Sequence, residues 1–252
     1  MDRLNKLDRS LSQPLALRRA LRKVGLGLAG LTLFCLALIS AAQAQTSMAC
    51  DPGGDASYGG SGQGGPAVPP WLDITQATIA DAGDSIVFTL MLDAPISMAP
   101  AWQVADDGGM FQWGWRLVGD IEALTFVRNG CVLGKGHYVP AAYFLDLVWR
   151  VQTATFRARL LDDTSCTESE IPFVFSLDRR QVSLLVSKDL FANATIIPNP
   201  NTFQYFATTV VWKANKTGNS SFFVIDHAPD QSDDDFVVGT WSSSSTTTYG
   251  CP

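Results

Sequence analysis

The sequence is poor in the residue patterns that hydrolytic enzymes use. It holds only two histidines, His137 and His227, and it contains neither a Gly-X-Ser-X-Gly elbow nor a His-Glu-X-X-His pair. These absences argue against a Ser-His-Asp triad and against a zinc hydrolase. We therefore expect the chain not to be an enzyme.

Positive charge is scarce outside the N-terminal segment. Residues 1–44 contain seven of the 18 Lys and Arg but only two of the 24 Asp and Glu, so the remainder carries a net charge near −11. Such a balance opposes binding to nucleic acid or to an anionic membrane, because cations must displace the counterions of those surfaces. No stretch after residue 44 is long and apolar enough to span a bilayer.

The N-terminal segment has the order of a secretion signal. A basic region is followed by an uncharged apolar run over residues 24–42 and by Ala42-Gln43-Ala44, where small residues flank one position. We predict a signal peptide over residues 1–44, cleaved after Ala44, and a protein that is secreted, periplasmic or on the cell surface. Two alternatives stay open: an uncleaved membrane anchor, and acylation of Cys50.

Four cysteines remain after that cleavage. They are Cys50, Cys131, Cys166 and Cys251. An oxidising compartment favours two disulfides among them, and three pairings are available. We predict Cys50 with Cys251 and Cys131 with Cys166, because domain termini often lie close together. A zinc site is the competing interpretation, although no two cysteines have the short spacing of a ligand pair.

Two types of segment follow the signal. Residues 45–70 are rich in Gly and Pro and predict a flexible linker, with ordered structure beginning near Trp71. From there short alternating runs are separated by turns, including a hairpin over residues 74–92 and a second one around Asn129-Gly130. No window has a convincing helical pattern. We predict a single all-β domain over residues 71–252, an antiparallel, jelly-roll-like β-sandwich.

An acidic loop after the apolar run 222–225 is the densest polar group. Flexible loops of carboxylates are typical of calcium sites, which take six to eight oxygen ligands. For residues 233–235 we favour a solvated acidic loop, and Asp226 and Asp230 are the first candidates if a cation is bound. The predicted metal ligands are Asp226, Asp230, Asp233, Asp234 and Asp235.

An aromatic row is the second group. Phe111, Trp113 and Trp115 occupy every second position, so on a strand they share one face, and Trp102 lies nearby. An exposed row of this kind stacks on sugar rings, whereas a buried row fills a sandwich core. We favour the core interpretation for the row and name these four residues as the candidate ligand-binding set if the row is exposed.

Several segments resemble a known group of domains. They are Asp73 to Ile79 with Gly83 to Leu90, Phe173 to Asp178 with Val182 to Val186, Val211 to Ala214, and Asp226 to Asp230. Together they resemble exported bacterial β-sandwich domains related to family-nine carbohydrate-binding modules and to DOMON domains. The resemblance implies a jelly-roll-like sandwich that binds sugar, haem or calcium. For haem, the expected His and Met partners are not evident.

Three functional hypotheses follow. The leading one is an exported, non-catalytic β-sandwich that binds carbohydrate, with a structural calcium ion. The second is a structural or adhesive envelope protein that contacts other proteins. It gains if Trp113 and Trp115 are buried while another apolar patch is exposed. The third is a carboxylate glycoside hydrolase; its candidate carboxylates are Asp146, Asp162, Asp163, Glu168 and Glu170.

Overall fold

The computed structural model describes residues 46–58, 66–105, 109–118, 126–127, 137–138, 141–162, 167–191, 200–214, 220–229 and 239–251. Its strands, in chain order, are β1 Thr46–Cys50, β2 Ile74–Asp81, β3 Ser85–Leu92, β4 Met110–Val118, β5 Phe126–Val127, β6 His137–Tyr138, β7 Ala141–Arg150, β8 Thr155–Asp162, β9 Thr167–Glu170, β10 Phe173–Phe175, β11 Gln181–Ser187, β12 Thr202–Ala214, β13 Ser220–Ala228, β14 Gly239–Ser242 and β15 Thr247–Tyr249. The helical segments in these ranges are short 3₁₀ turns at Pro70–Leu72, Gln103–Ala105 and Lys188–Phe191. None of these helices has the length or apolar character needed to cross a membrane.

Two large sheets form the sandwich, and β5 and β6 form a separate two-stranded sheet. Sheet A has the order β10-β11-β3-β2-β1-β15, and sheet B has the order β13-β12-β4-β7-β8-β9, with β14 also paired to β12. The pairings within both sheets are antiparallel apart from the parallel pair β1 and β15. The predicted all-β sandwich is confirmed.

Alternation along the strands decides which side chains form the core. In β3, Ile86, Phe88 and Leu90 are fully buried at every second position. Phe88 meets Trp115 of sheet B edge to face, with ring centroids 5.5 Å apart. The two sheets therefore share one aromatic-rich core.

The aromatic row of β4 belongs to that core. Phe111, Trp113 and Trp115 are each 0% exposed, and the Trp113 indole donates a hydrogen bond of 2.8 Å to the carbonyl of Trp71. Their assignment as an exposed ligand-binding face was wrong, since one face of β4 looks into the sandwich. The core row, which was favoured from the sequence, is what the structure has.

The linker prediction was wrong at its beginning. β1 lies between β2 and β15, and Ala49 within it is buried. A disulfide joins Cys50 at the end of β1 to Cys251, as predicted, with the two Cα atoms 4.9 Å apart. Since this bond uses the Cys50 sulfur, the thiol is not free for acylation. Residues 59–65 of the Gly-rich segment lie outside the described residues. The same is true of the signal segment and of the predicted pair Cys131 and Cys166.

The second predicted hairpin falls mainly outside the described residues. β5 pairs with β6, with Val127 opposite His137. The Asn129-Gly130 turn and residues 131–133, the strand expected after it, are not among the described residues.

Candidate metal site

Three carboxylates converge beside the start of β2. Asp51, Asp55 and Asp226 each offer an oxygen, and these oxygens all lie within 4.8 Å of one another. Asp51 and Asp226 are buried, and Asp55 is exposed. The cluster therefore has two internal ligands and one that faces solvent.

The segment after β1 brings Asp51 and Asp55 to this position. The Asp51 amide donates to the carbonyl of Thr75 at 3.2 Å, which continues the pairing of β1 with β2. Gly54 then adopts a φ of +95°, a left-handed conformation that favours glycine. Farther on, the Ser57 amide donates to the carbonyl of Ile225 at 2.9 Å, so the segment ends alongside β13.

A β-bulge turns Asp226 inward. Thr209 of β12 lies opposite Asp226, while Val210 lies opposite Val224, so Ile225 is the extra residue of β13. Because Thr209 is fully buried and directly opposed residues share a face, Asp226 points to the interior side of sheet B. Regular alternation after Ile225 would have placed the carboxylate on the outer side.

Backbone amides hold the Asp226 carboxylate in place. One of its oxygens accepts a hydrogen bond from the Ile74 amide of sheet A, and the other accepts one from the His227 amide at 2.9 Å. The carboxylate thus bridges the two sheets. Its remaining lone pairs are available for a cation.

A fourth carboxylate, Asp73, lies next to the three. It is 4% exposed, and one oxygen accepts a hydrogen bond from the Gly54 amide at 2.6 Å. The other oxygen, Oδ1, is buried and has no hydrogen-bond partner among the described residues. Burial raises the pKa of Asp73, opposed by the Gly54 amide and assisted by the charge of Asp93.

The carboxylate cluster around Asp226 carries an excess of negative charge. Burial raises the pKa of Asp226 to about 8; the amides of Ile74 and His227 oppose the rise, and the charges of Asp55 and Asp73 add to it. No positively charged side chain contributes to this shift within the described residues. The carboxyl group must therefore either bind a proton or be compensated by a cation.

The ligand chemistry fits a hard cation. All three groups are carboxylates, which suit Ca²⁺, Mg²⁺ or Mn²⁺ better than a soft metal. Ligands about 2.3–2.6 Å from one Ca²⁺ are at most roughly 5 Å apart, a limit that the observed spacing respects. The arrangement can hold a metal ion, with backbone or solvent oxygens completing its coordination.

Sequence patterns identified only part of this site. Asp226 belongs to the cluster, whereas Asp230, Asp233, Asp234 and Asp235 lie outside the described residues. Asp51 and Asp55 were missed because they fall in the segment predicted as a linker. The predicted bond between Cys50 and Cys251 was the available signal, since a disulfide fixes the residues that follow it.

A half-buried aromatic cluster shares the same chain segment. Tyr58 contacts Trp102 edge to face at 5.4 Å and Phe223 at 4.8 Å between ring centroids. Each of the three side chains is partly exposed. Trp102 is therefore the one residue of the predicted ligand-binding set whose indole reaches the surface.

The candidate hydrolase carboxylates lie in a different environment. Asp146 is 1% exposed and forms an ion pair with Arg116 at 2.6 Å; Glu168 pairs with Arg159 at 3.0 Å. Arg159 also approaches Asp146 at 3.8 Å, so the groups form a charge network across β4, β7, β8 and β9. Asp162 and Glu170 lie on β8 and β9, and Asp163 is outside the described residues.

Fold and site together define the class of this protein: an all-β sandwich with an acidic cluster that can hold a metal ion. In comparisons with known proteins, no protein-family model and no curated protein matches the chain. The function must therefore be inferred from the residues of the site.

Proposed function

We propose that this chain is an exported β-sandwich binding protein that holds a calcium ion through Asp51, Asp55 and Asp226. The convergence of these three carboxylates carries the proposal. Calcium is favoured over magnesium because it accepts several protein oxygens in flexible geometry, whereas magnesium keeps most of its water. The ion is structural in this proposal, since its ligands join the segment after β1 to β13.

Calcium removal tests the proposal. We expect chelation to lower the melting midpoint, because a ligand present at about 100 times its Kd adds about 2.7 kcal/mol to the folded state. For a domain of this size, that corresponds to roughly 5–10 °C. Differential scanning calorimetry with calcium and with chelator measures the difference.

Two substitutions assign the effect to the site. Asp226→Asn and Asp51→Asn remove ligand charge with little change of shape, and each should abolish the calcium-dependent shift. Asp189→Asn is the matched control, because Asp189 is an exposed carboxylate outside the cluster. Equal midpoints with calcium and with chelator would refute the calcium proposal, as would a full shift in Asp226→Asn.

Carbohydrate is the ligand class that we propose for the aromatic cluster Tyr58, Trp102 and Phe223. The support is its partial exposure on the segment that also carries Asp55, since planar apolar faces stack on sugar rings. We expect Trp102→Ala to reduce retention on polysaccharide affinity gels at least about fivefold, by loss of one stacking partner of roughly 1 kcal/mol.

The control for that experiment is Trp212→Ala. Trp212 is a half-buried tryptophan outside the aromatic cluster, with its indole bonded to Gln112 at 2.7 Å. Retention on no polysaccharide, with or without calcium, would remove the carbohydrate proposal and leave the calcium proposal to its own test.

A second candidate function is an envelope protein that contacts other proteins. It is favoured by the burial of Trp113 and Trp115, while Met98 and Leu177 are 71% and 107% exposed. Exposed apolar side chains that are close together mark interaction surfaces.

A further inference from the structure

We propose that β10 and the turn after it form a self-association surface, through which two copies of this chain pair edge to edge. This surface lies on sheet A and is independent of the calcium site.

The outer edge of β10 carries backbone groups that no described residue pairs with. The Leu185 amide donates to the Pro172 carbonyl, and the Ser176 amide donates to the Gln181 carbonyl, so the even-numbered residues face β11. By the alternation of an antiparallel ladder, the N–H and C=O groups of Phe173 and Phe175 face away from it. Within the described ranges no strand pairs with that side. Such an edge is a template for another strand.

β10 also carries no charged side chain that would protect its edge. Its residues are Phe, Val and Phe. In contrast, β9, one of the two edge strands of sheet B, carries Glu168 and Glu170, which form ion pairs with Arg157. Charged side chains on an edge oppose pairing, so β9 is protected and β10 is open to a partner.

The turn after β10 exposes an apolar side chain, and contacts with a neighbouring loop hold the turn in place. Leu177 is fully exposed there. Arg179 donates to the Ile96 carbonyl at 2.7 Å and lies 4.0 Å from the centroid of the Phe175 ring, which anchors the turn to the loop that carries Met98. An apolar group that is already held in place loses little conformational entropy on binding.

A second copy is the occupant that this surface fits. The sequence Phe173-Val174-Phe175 is symmetric about Val174, so a two-fold axis there pairs each Phe173 with the other copy's Phe175. The strand itself carries no charged side chain, so no like charges oppose each other along this pairing.

Sedimentation velocity over a concentration series tests the proposal. We expect the full mature chain to show a reversible monomer–dimer equilibrium, and Leu177→Glu to weaken it about tenfold or more, as loss of an apolar anchor does. Leu190→Glu is the control, because Leu190 is an exposed leucine on a different segment and should leave the equilibrium unchanged. A chain that stays monomeric up to roughly millimolar concentration, where even weak pairing is visible, would overturn the proposal.

Cross-linking locates the axis. In a pair centred on Val174, the two copies of this residue form a non-hydrogen-bonded pair with Cα atoms about 4.5 Å apart, within disulfide range. Val174→Cys should therefore form a covalent dimer under mild oxidation, and Thr248→Cys on β15, at the opposite edge of sheet A, should not. Dimers that form without cross-linking at Val174→Cys would also overturn the proposal, because the interface would then lie elsewhere.

Discussion

Asp226 combines burial with neighbouring negative charge, and this determines the sign of its pH response. Its pKa is raised from 3.8 to about 8 by burial, with further contributions from the charges of Asp55 and Asp73. A carboxyl group whose pKa is higher in the folded chain than in the unfolded chain stabilises the fold in its neutral form. That stability is present below the unfolded pKa and is lost as the pH rises through the folded value.

We therefore predict that, without added cation, stability falls as the pH rises from about 4 to about 8. The Asp226→Asn variant should show a flatter profile, since its amide does not titrate. Calcium should flatten the profile of the unmodified chain, because a bound cation offsets the ionised carboxylate. Chemical denaturation at a series of pH values measures this, and a parallel decline in Asp226→Asn would assign the effect to other groups.

Single residues were predicted from sequence where their role is local. Asp226 follows an apolar run directly, so its position near the end of a strand was evident, whereas the bulge that turns it inward was not. Asp51 and Asp55 could not be found in this way, because their role depends on β1, a five-residue strand in front of a Gly-rich run. The orientation of Trp113 and Trp115 was ambiguous because period-two alternation defines two faces without saying which is buried.

Strand pairing and a disulfide both fix β1 within sheet A. It pairs with β2 and β15, and its last residue is bonded to Cys251, 201 positions later in the chain. In addition, Ser47 of β1 forms a hydrogen bond of 2.8 Å with the buried hydroxyl of Tyr205 in sheet B. The two termini of the described domain are thus fastened to its core.

Removing the disulfide should therefore be costly. We predict that the double variant Cys50→Ser/Cys251→Ser loses about 2–5 kcal/mol of unfolding free energy, because the unfolded chain is no longer constrained by the bond. Urea denaturation measures the loss, with Ser244→Ala as the control in the exposed tail. An unchanged midpoint and slope would show that strand pairing alone fixes β1.

Strands in which apolar side chains alternate clearly could be predicted from the sequence, and very short strands could not. The hairpin of β2 and β3 was predicted within a few residues, because apolar side chains alternate on both sides of its turn. β5 and β6 are two residues each, too short for apolar alternation to predict them. Such short pairings depend on distant contacts, and no local pattern encodes those.

At the scale of the whole molecule, the acidic site lies where the two sheets meet. Asp51 and Asp55 follow β1 of sheet A, and Asp226 belongs to β13 of sheet B and accepts a hydrogen bond from Ile74 in β2. The sequence distance between Asp55 and Asp226 hid this proximity. A cation at this place would therefore stabilise the packing of one sheet on the other as well as one loop.

The most direct test of the calcium proposal is anomalous diffraction from crystals grown with calcium. The account predicts an anomalous peak about 2.3–2.6 Å from carboxylate oxygens of Asp51, Asp55 and Asp226. A well-ordered cluster without a peak, or a calcium ion bound only elsewhere, would contradict it.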